Sequence, residues 1–516
     1  MLTATKKIIS GNTKITSIEK LGGIVAALKS QGKQVVHCHG CFDLLHIGHI
    51  RYFEEARLMG DVLVVTVTPD RYVDKGPNRP AFSEDLRLRA VASLEIVDYV
   101  ALNKWPTAAE TLRLLVPDIY VKGSEFRDAD SDMTGKMGKE AEVVRQIGAR
   151  LAFTDDIVFS STQLINQYLS RFPEEIKEYL KVFRQRYSID DILGILEKMT
   201  SLKVLTIGDA ILDEYQYCEV IGKSSKEPTL ALKYLSRDLF AGGVLAVGNH
   251  LANFAGGVQL ATVLGSEDSY EDFIRERLNE KIDLYFVARP KARTLIKRRF
   301  LDSYSLNKVF EVYVMDDSDL PRDLEQNLCE WLRENLCHYD LVTVADFGHG
   351  AISEAIVNVL VENSPFLAVN TQANAGNRGF HTITRYPRAD YVCLAEPEIR
   401  LEARKLRGEL GPIIAGIAEK MGCKQLVVTR GKKGCIVRNQ RGEFVEVPAF
   451  VHRVVDRIGA GDAFLSVTSL AAVLEVPSEV LAFIGNVTGM LAVEILGNQK
   501  AVDKMRLQKT IVSLLK

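Results

Sequence analysis

Two histidines three residues apart, His46 and His49, follow the stretch Val35-Val36-His37-Cys38-His39-Gly40. The stretch reads as a buried strand, Gly40-Cys41-Phe42-Asp43 as a turn, and Ile47–Met59 as a helix. The spacing puts both imidazoles on one side of the first helical turn. Unpaired N–H groups and positive dipole charge gather there, which suits phosphate. Two imidazoles beside that anion can stabilise charge developing on a transferring phosphoryl group. Gly48, between them, lets a ligand approach the backbone. A second helix start of this kind lies at Asp456-Arg457-Ile458-Gly459-Ala460-Gly461-Asp462. Its glycines permit a tight turn whose N–H groups can cradle an anion. Asp462 beside it either caps the helix or takes a proton from an attacking hydroxyl.

Further cations and hydroxyls accompany the first turn in chain order. Lys75 and Arg79 lie in the Gly/Pro-rich loop Asp70–Pro80, positive charge available to a phosphate. Lys122 follows a short strand, and Ser160-Ser161-Thr162 opens the helix expected over Ser161–Leu169, where hydroxyls and N–H groups can hold a triphosphate. Cys38, Cys41, His46 and His49 also spell C-x2-C-x4-H-x2-H, but a zinc finger places about a dozen residues between its pairs. The favoured reading packs Cys38 in the strand and Cys41 in the turn.

These residues need elements to hold them. Apolar residues at helical spacing over Ser17–Ser30 predict a helix. The unbroken apolar run Val62–Val67 predicts a strand buried on both faces, as in a parallel sheet. Helix Glu84–Ser93, strand Tyr99–Leu102, helix Ala108–Leu115 and strand Ile119–Val121 continue an alternation typical of a doubly wound α/β fold. Residues 171–200 are charged and helical in pattern, with Ser188 as an N-cap. A second alternation starts with strand Lys203–Ile207 and includes strands Gln259–Val263, Leu341–Ala345, Phe366–Val369, Tyr391–Leu394 and Gln425–Thr429. The expected domains are therefore 1–170, a helical linker 171–200, and 201–516. A chain of 516 residues is too long for one core. The net charge of −2 gives no basis for nucleic-acid binding. No apolar run approaches the ~18 residues of a membrane span. Met1–Lys7 lacks a signal-peptide core, and eight scattered cysteines do not form a disulfide framework, so a cytoplasmic location is expected.

Gly40-Cys41-Phe42-Asp43-Leu44-Leu45-His46-Ile47-Gly48-His49, Lys122-Gly123 and Ser160-Ser161-Thr162 resemble the cytidylyltransferase-like nucleotidyltransferases over roughly residues 17–170. Arg79-Pro80 and Arg87 with Val97-Asp98-Tyr99-Val100 resemble the adenylyltransferase half of the bacterial bifunctional heptose-phosphate kinase/adenylyltransferases in particular. The resemblance implies attack of a sugar-1-phosphate on the α-phosphate of ATP or CTP, with loss of pyrophosphate and help from Mg²⁺. It gives catalytic roles to His46, His49 and Lys122. Gly40, Phe42, Asp43, Gly48, Ser160, Ser161 and Thr162 would bind nucleotide, and Lys75 and Arg79 substrate. His39 stands where the heptose enzymes usually carry Asn. The letters His46-Ile47-Gly48-His49 also spell a class I aminoacyl-tRNA synthetase signature, whose second element has no good match here.

In the second half, Gly208–Asp213, Ala241-Gly242-Gly243, Asn249, Thr429–Gly434 and Gly459–Asp462 resemble, in that order, the ribokinase-like (PfkB) sugar kinases over roughly 200–505. Asp346–Gly350 and Thr294-x-x-Lys297-Arg298-Arg299-Phe300 look like the heptose-phosphate kinase. The resemblance makes Asp462 the general base and Gly459, Ala460 and Gly461 the anion hole. Asp209, Asp213, Gly242, Gly243, Asn249 and Asp346 would bind the sugar, and Thr429, Gly431 and Asn486 ATP. Glu398 would act indirectly on Mg²⁺. Ala395, Ile458 and Glu311 depart from the pattern, which implies an altered sugar phosphate, a weakened kinase, or a non-catalytic sugar-binding or dimerisation module. The domain order is the reverse of the familiar bifunctional enzyme. A homodimer is the default expectation for this family.

Overall fold

The computed structural model describes residues 14–73, 79–124, 136–154, 172–316, 318–451 and 453–516. The predicted Ser161–Leu169 helix, Lys75, and Ser160, Ser161 and Thr162 lie outside the described residues. Two compact units are present, one of Met1–Pro173 with Gln508–Lys516 and one of Glu174–Leu507. No helix among the described residues is long and apolar enough to cross a membrane.

The first unit holds a six-stranded parallel sheet. Its strands are β1 (Ile15–Thr16), β2 (Val35–Gly40), β3 (Val62–Val67), β4 (Tyr99–Leu102), β5 (Ile119–Lys122) and β6 (Arg150–Phe153). They lie in the order β1-β4-β3-β2-β5-β6, and every pairing is parallel. All six residues of β3 are buried, as expected of a strand covered on both faces. Helices α1 (Ile18–Ser30), α2 (Ile47–Leu58), α3 (Glu84–Ala92), α4 (Ala109–Leu115) and α5 (Lys136–Gln146) alternate with the strands. Ser17 caps α1 by accepting from Lys20 N. The strand order reverses between β2 and β5, the switch point at which a doubly wound sheet opens a crevice. The turn after β2 and Lys122 at the end of β5 both lie there. Short β6 and the helix α5 were not anticipated from sequence.

The stretch expected as a linker forms α6 (Glu174–Arg186) and α7 (Ile189–Lys198), with Ser188 capping α7 as predicted. The pair is docked on the second unit. Phe183 stacks on Phe483 at 4.4 Å, and Glu479 accepts from Arg186 and Tyr187.

In the second unit the predicted strand Lys203–Ile207 is the start of a 21-residue strand, β7 (Lys203–Lys223). The other strands are β8 (Leu230–Gly243), β9 (Gly257–Glu267), β10 (Ile282–Arg293), β11 (Ile296–Asp302), β12 (Lys308–Val314), β13 (Leu341–Asp346), β14 (Leu367–Thr371), β15 (Tyr391–Ala395), β16 (Gln425–Thr429), β17 (Cys435–Arg438) and β18 (Phe444–Val447). The main sheet runs β10-β9-β7-β13-β14-β15-β16-β17-β18. Up to Asp209, β7 lies between β9 and β13. From Ala210 it leaves that sheet and pairs with β8 on one side and β11 on the other, with β12 beyond β11. Gly208–Asp213 therefore lies within the strand and does not follow it, which corrects the sequence expectation. One continuous strand thus carries Asp209 in the main sheet and Asp213 in the smaller one.

Candidate active sites

In the first unit the helix start is built as the spacing required. His46 is the N-cap of α2, in extended backbone, and its Nδ1 accepts from Gly48 N at 3.1 Å. The neutral ring therefore carries its proton on Nε2. Its burial lowers its pKa. The His46 and His49 rings stack at 4.0 Å. Phe42 sits at φ 48°, a left-handed backbone that a bulky residue adopts only when packing holds it there. Its ring packs on Phe53 at 4.9 Å and meets His49 edge-on at 5.6 Å. Gly40 ends β2, and Gly48 lies in the first turn of α2.

Several predicted side chains act here as anchors. Both oxygens of buried Asp43 accept from Ala81 N, and Oδ1 also accepts from Phe82 N. Arg79 Nη1 lies 3.5 Å from Asp43 Oδ2, with both side chains buried. Arg79 is thus held inward in a buried ion pair, where the sequence suggested an open loop cation. Lys122 Nζ pairs with Glu140 Oε2 at 2.8 Å, and Glu140 also accepts from Tyr120 and Ala108 N. Burial alone would raise the Glu140 carboxyl; Lys122 and His39 hold it at about 2. Glu140 had no motif to announce it. His39 shares Thr66 Oγ1 with buried His37.

In the second unit Gly459 is the N-cap of the helix Ala460–Val473, with φ 81°. A Cβ there would stand 2.2 Å from Asn498 Oδ1. Asn498 Nδ2 in turn donates to Asp213 Oδ2 at 3.0 Å, and Arg299 Nη1 donates to Asp213 Oδ1 at 2.5 Å. A Cβ at Gly242 would stand 2.1 Å from Asp213 Oδ2, so only glycine admits that carboxylate. Gly243 is the N-cap of the helix Val244–Ala252. A Cβ at Gly461 would meet nothing within 4 Å, so open space lies over the helix start. Asp462 is partly accessible, and its side chain accepts no hydrogen bond among the described residues. Burial, with the charge of Asp213 added and Lys297 opposing, pushes it up to about 7.

The turn is braced from below by Asp456, which accepts from Tyr215 and Gly497 N and pairs with Lys308. Ile458 packs with Tyr215, Phe240 and Leu301. Glu311 Oε2 lies 3.2 Å from Arg299 Nε, joining the Asp213 cluster.

Other predicted residues lie where their polar atoms are engaged by protein. Asp209 accepts from Phe347 N, His349 N and Ala351 N. Asp346 accepts from Gly348 N, Arg385 and Tyr386. These two carboxylates shape the loop after β13. Asn249 donates to Arg277 O and accepts from Asn279 N, yet it lines a cavity of about 600 Å³ with Phe240, Ala241 and Asn498. Asn486 donates to Val447 O and Pro448 O, holding the loop after β18. Thr429 ends β16 beside Gly431 (φ 57°). Glu398 accepts from Ala395 N at 2.6 Å at a helix start, and its burial pushes it up to about 7, with the charge of Asp462 adding.

Sequence reasoning missed Asn498 and Glu140, which carry no motif. It quoted Arg299 and Lys297 without a role; strand register sets Lys297 opposite Asp213 of β7 and Arg299 opposite Tyr215, from where its side chain reaches Asp213.

The pfkB family carbohydrate kinase model matches residues 202–505, and the cytidylyltransferase-like model matches residues 37–167. The bifunctional protein HldE of Geobacter sulfurreducens is 36% identical over 170 residues, covering 32% of this chain and 33% of that protein. HldE of Trichlorobacter lovleyi is 38% identical over 169 residues, with 32% and 33% covered. The chain spans about a third of the length of the curated relatives it matches. Among solved structures, the tetrameric inhibited form of Escherichia coli phosphofructokinase-2 superposes with a TM-score of 0.50 at 16% identity, covering 61% of this chain and all of that one. At that identity the likeness shows the fold alone.

Proposed function

Because residues 202–505 make this chain a member of the pfkB family of carbohydrate kinases, we propose that it is a two-centre transferase acting on one class of sugar. The second unit phosphorylates a sugar or sugar phosphate with ATP. The first unit joins a nucleotidyl group from ATP or CTP to a sugar-1-phosphate and releases pyrophosphate. The observation that supports this best is the unpartnered Asp462 carboxylate beside an open, glycine-built helix start.

In the kinase centre Asp213, oriented by Arg299 and Asn498, holds acceptor hydroxyls. The N–H groups at Ala460 and Gly461 hold the transferring phosphoryl group, and Asp462 takes the acceptor's proton. Thr429 and Gly431 would bind the nucleotide. In the first centre, His46 presents Nε2–H and stacked His49 its ring to the α-phosphate, where charge builds during displacement. Lys122, held by Glu140, adds positive charge at the carboxyl end of β5. Ser160, Ser161 and Thr162 would complete the nucleotide site, and Lys75 the substrate site.

Magnesium would enter with the triphosphate and offset its charge. Glu398, whose carboxyl burial raises, is the carboxylate that would act on it indirectly. We also propose a homodimer; exposed Val220, Tyr234, Phe310 and Val312 on the small sheet support pairing, and sedimentation tests it.

The test is a grid of nucleoside triphosphates against sugars, sugar phosphates and sugar-1-phosphates, reading pyrophosphate and ADP separately. His46→Ala should abolish pyrophosphate release and leave sugar-dependent ADP formation. Asp462→Asn should do the reverse. Loss of both activities in either variant would sink the two-centre reading. A second reading makes the pfkB unit a non-catalytic sugar-binding module; Glu398 already engaged as a helix cap at Ala395 favours it. Sugar-dependent ADP formation by the His46→Ala chain would rule it out.

A further inference from the structure

Most charges of the kinase cleft have partners. Asp213 has Arg299 and Asn498, Glu311 has Arg299, Asp209 has three backbone N–H groups, and Asp346 has Arg385 and Tyr386. Lys297 and Asp462 differ: among the described residues the side chain of neither makes a hydrogen bond or an ion pair. They carry opposite charge, yet no contact within 4 Å joins them.

Lys297 is 4% exposed, which for an unpaired ammonium is costly. Strand register explains how it is held. β11 sets Lys297 opposite Asp213 of β7 and opposite Tyr313 of β12. Its Nζ lies 5.2 Å from the Tyr313 ring and 5.7 Å from the Phe347 ring. Ring faces attract an ammonium and fix its position without neutralising it. The His349 ring, edge-on to Tyr313 at 6.3 Å, likewise has a buried Nε2 with no partner. A lysine kept only as counter-charge to Asp213 and Glu311 would sit against a carboxylate. Lys297 does not.

We infer that Lys297 is a second catalytic residue of the kinase centre, its ammonium contacting the phosphoryl group whose acceptor Asp462 deprotonates. The inference rests on the kinase reading above. In the step, a bond forms from the acceptor oxygen to the γ-phosphorus as the bond from that phosphorus to the β–γ bridging oxygen breaks. The acceptor's proton passes to Asp462, and ADP leaves. Lys297 keeps its proton and offsets charge on the equatorial oxygens. Asp213 and Arg299 fix the acceptor side, and Glu311 balances Arg299.

The test compares the full-length wild type with Lys297→Met and Lys297→Arg, using ATP and whichever panel acceptor the wild type turns over fastest. Lys297→Met should lower kcat by roughly 10²–10³, the scale of losing one transition-state donor. Its KM for ATP should stay within about threefold, because the loss is confined to the transition state. Its melting temperature should hold or rise, since an unpaired buried charge has gone. Lys297→Arg should recover part of kcat. A kcat for Lys297→Met within about threefold of wild type would overturn the assignment. So would a joint fall of kcat and melting temperature that Lys297→Arg restores together, the mark of a structural lysine. Should Lys297→Met fail to fold, Lys297→Gln is judged by the same criteria. If the wild type forms no ADP with any acceptor while still releasing pyrophosphate, the kinase reading itself falls, and this assignment with it.

Discussion

Replacing Asp462 by Asn should remove kinase activity and at the same time stabilise the unit that carries it. Burial pushes the carboxyl up to about 7. Against an unfolded value near ~3.9 that is about three pK units, or roughly 4 kcal/mol at most. Partial solvent access brings the expected effect to roughly 1–3 kcal/mol. The folded pKa lies above the unfolded one, so between those values the native chain holds a proton that the unfolded chain has lost. Stability on this account falls as pH rises through that window, and the full penalty applies above pH ~7. Asn cannot ionise and escapes it. Thermal melts should therefore show the variant several degrees more stable at pH ~8 and no different at pH ~4. In activity, the carboxylate fraction is about a tenth at pH 6 and about nine tenths at pH 8. Wild-type kcat/KM for ATP should thus climb about tenfold across that range. Asp462→Asn should lose roughly 10²–10⁴ in rate and show no acid limb. Glu398 is also pushed up to about 7, so Glu398→Gln is the necessary control and should retain the limb. An Asp462→Asn chain that is less stable at pH ~8, or that keeps the wild-type limb, would refute the reasoning.

Gly459→Ala should raise the acceptor KM by about tenfold or more while sparing the KM for ATP, since its Cβ would displace Asn498 from Asp213; initial rates over a substrate grid check this. The strained backbone adds a stability loss of roughly 1–3 kcal/mol, read by denaturant titration. Glu140→Gln removes the carboxylate that pairs with buried Lys122 and should destabilise the first unit by roughly 1–3 kcal/mol. Glu140 is held at about 2, so the pair's contribution is complete above the unfolded carboxylate pKa and is lost as pH falls toward 2. Acid unfolding followed by circular dichroism should accordingly be shallower in the variant.

Much of the first unit was legible because its signals are local. A run apolar at every position but Thr66 made β3, and Ser17 and Ser188 capped the helices they preceded. Two histidines three apart had to share a helical face, and their rings do stack. In the second unit β7, β9, β13, β14, β15 and β16 of the main sheet were legible for the same reason, whereas β10, β17 and β18 and the continuation of β7 into a second sheet were not. Its residues beyond Asp209 change partners, and nothing along the chain marks where pairing with β9 and β13 gives way to β8 and β11.

Residue type and short spacing alone determined that this chain carries two helix starts able to hold phosphate, one with paired imidazoles and one with a carboxylate. Only the tertiary structure decided which groups are already engaged. It turned Asp43, Asp209, Asp346 and Arg79 inward as anchors. It brought Asn498 to Asp213 across 285 residues. It also left the side chains of Lys297 and Asp462 without a hydrogen bond or an ion pair among the described residues. Pairing between side chains distant in sequence depends on strand register and loop closure, and no local pattern encodes either.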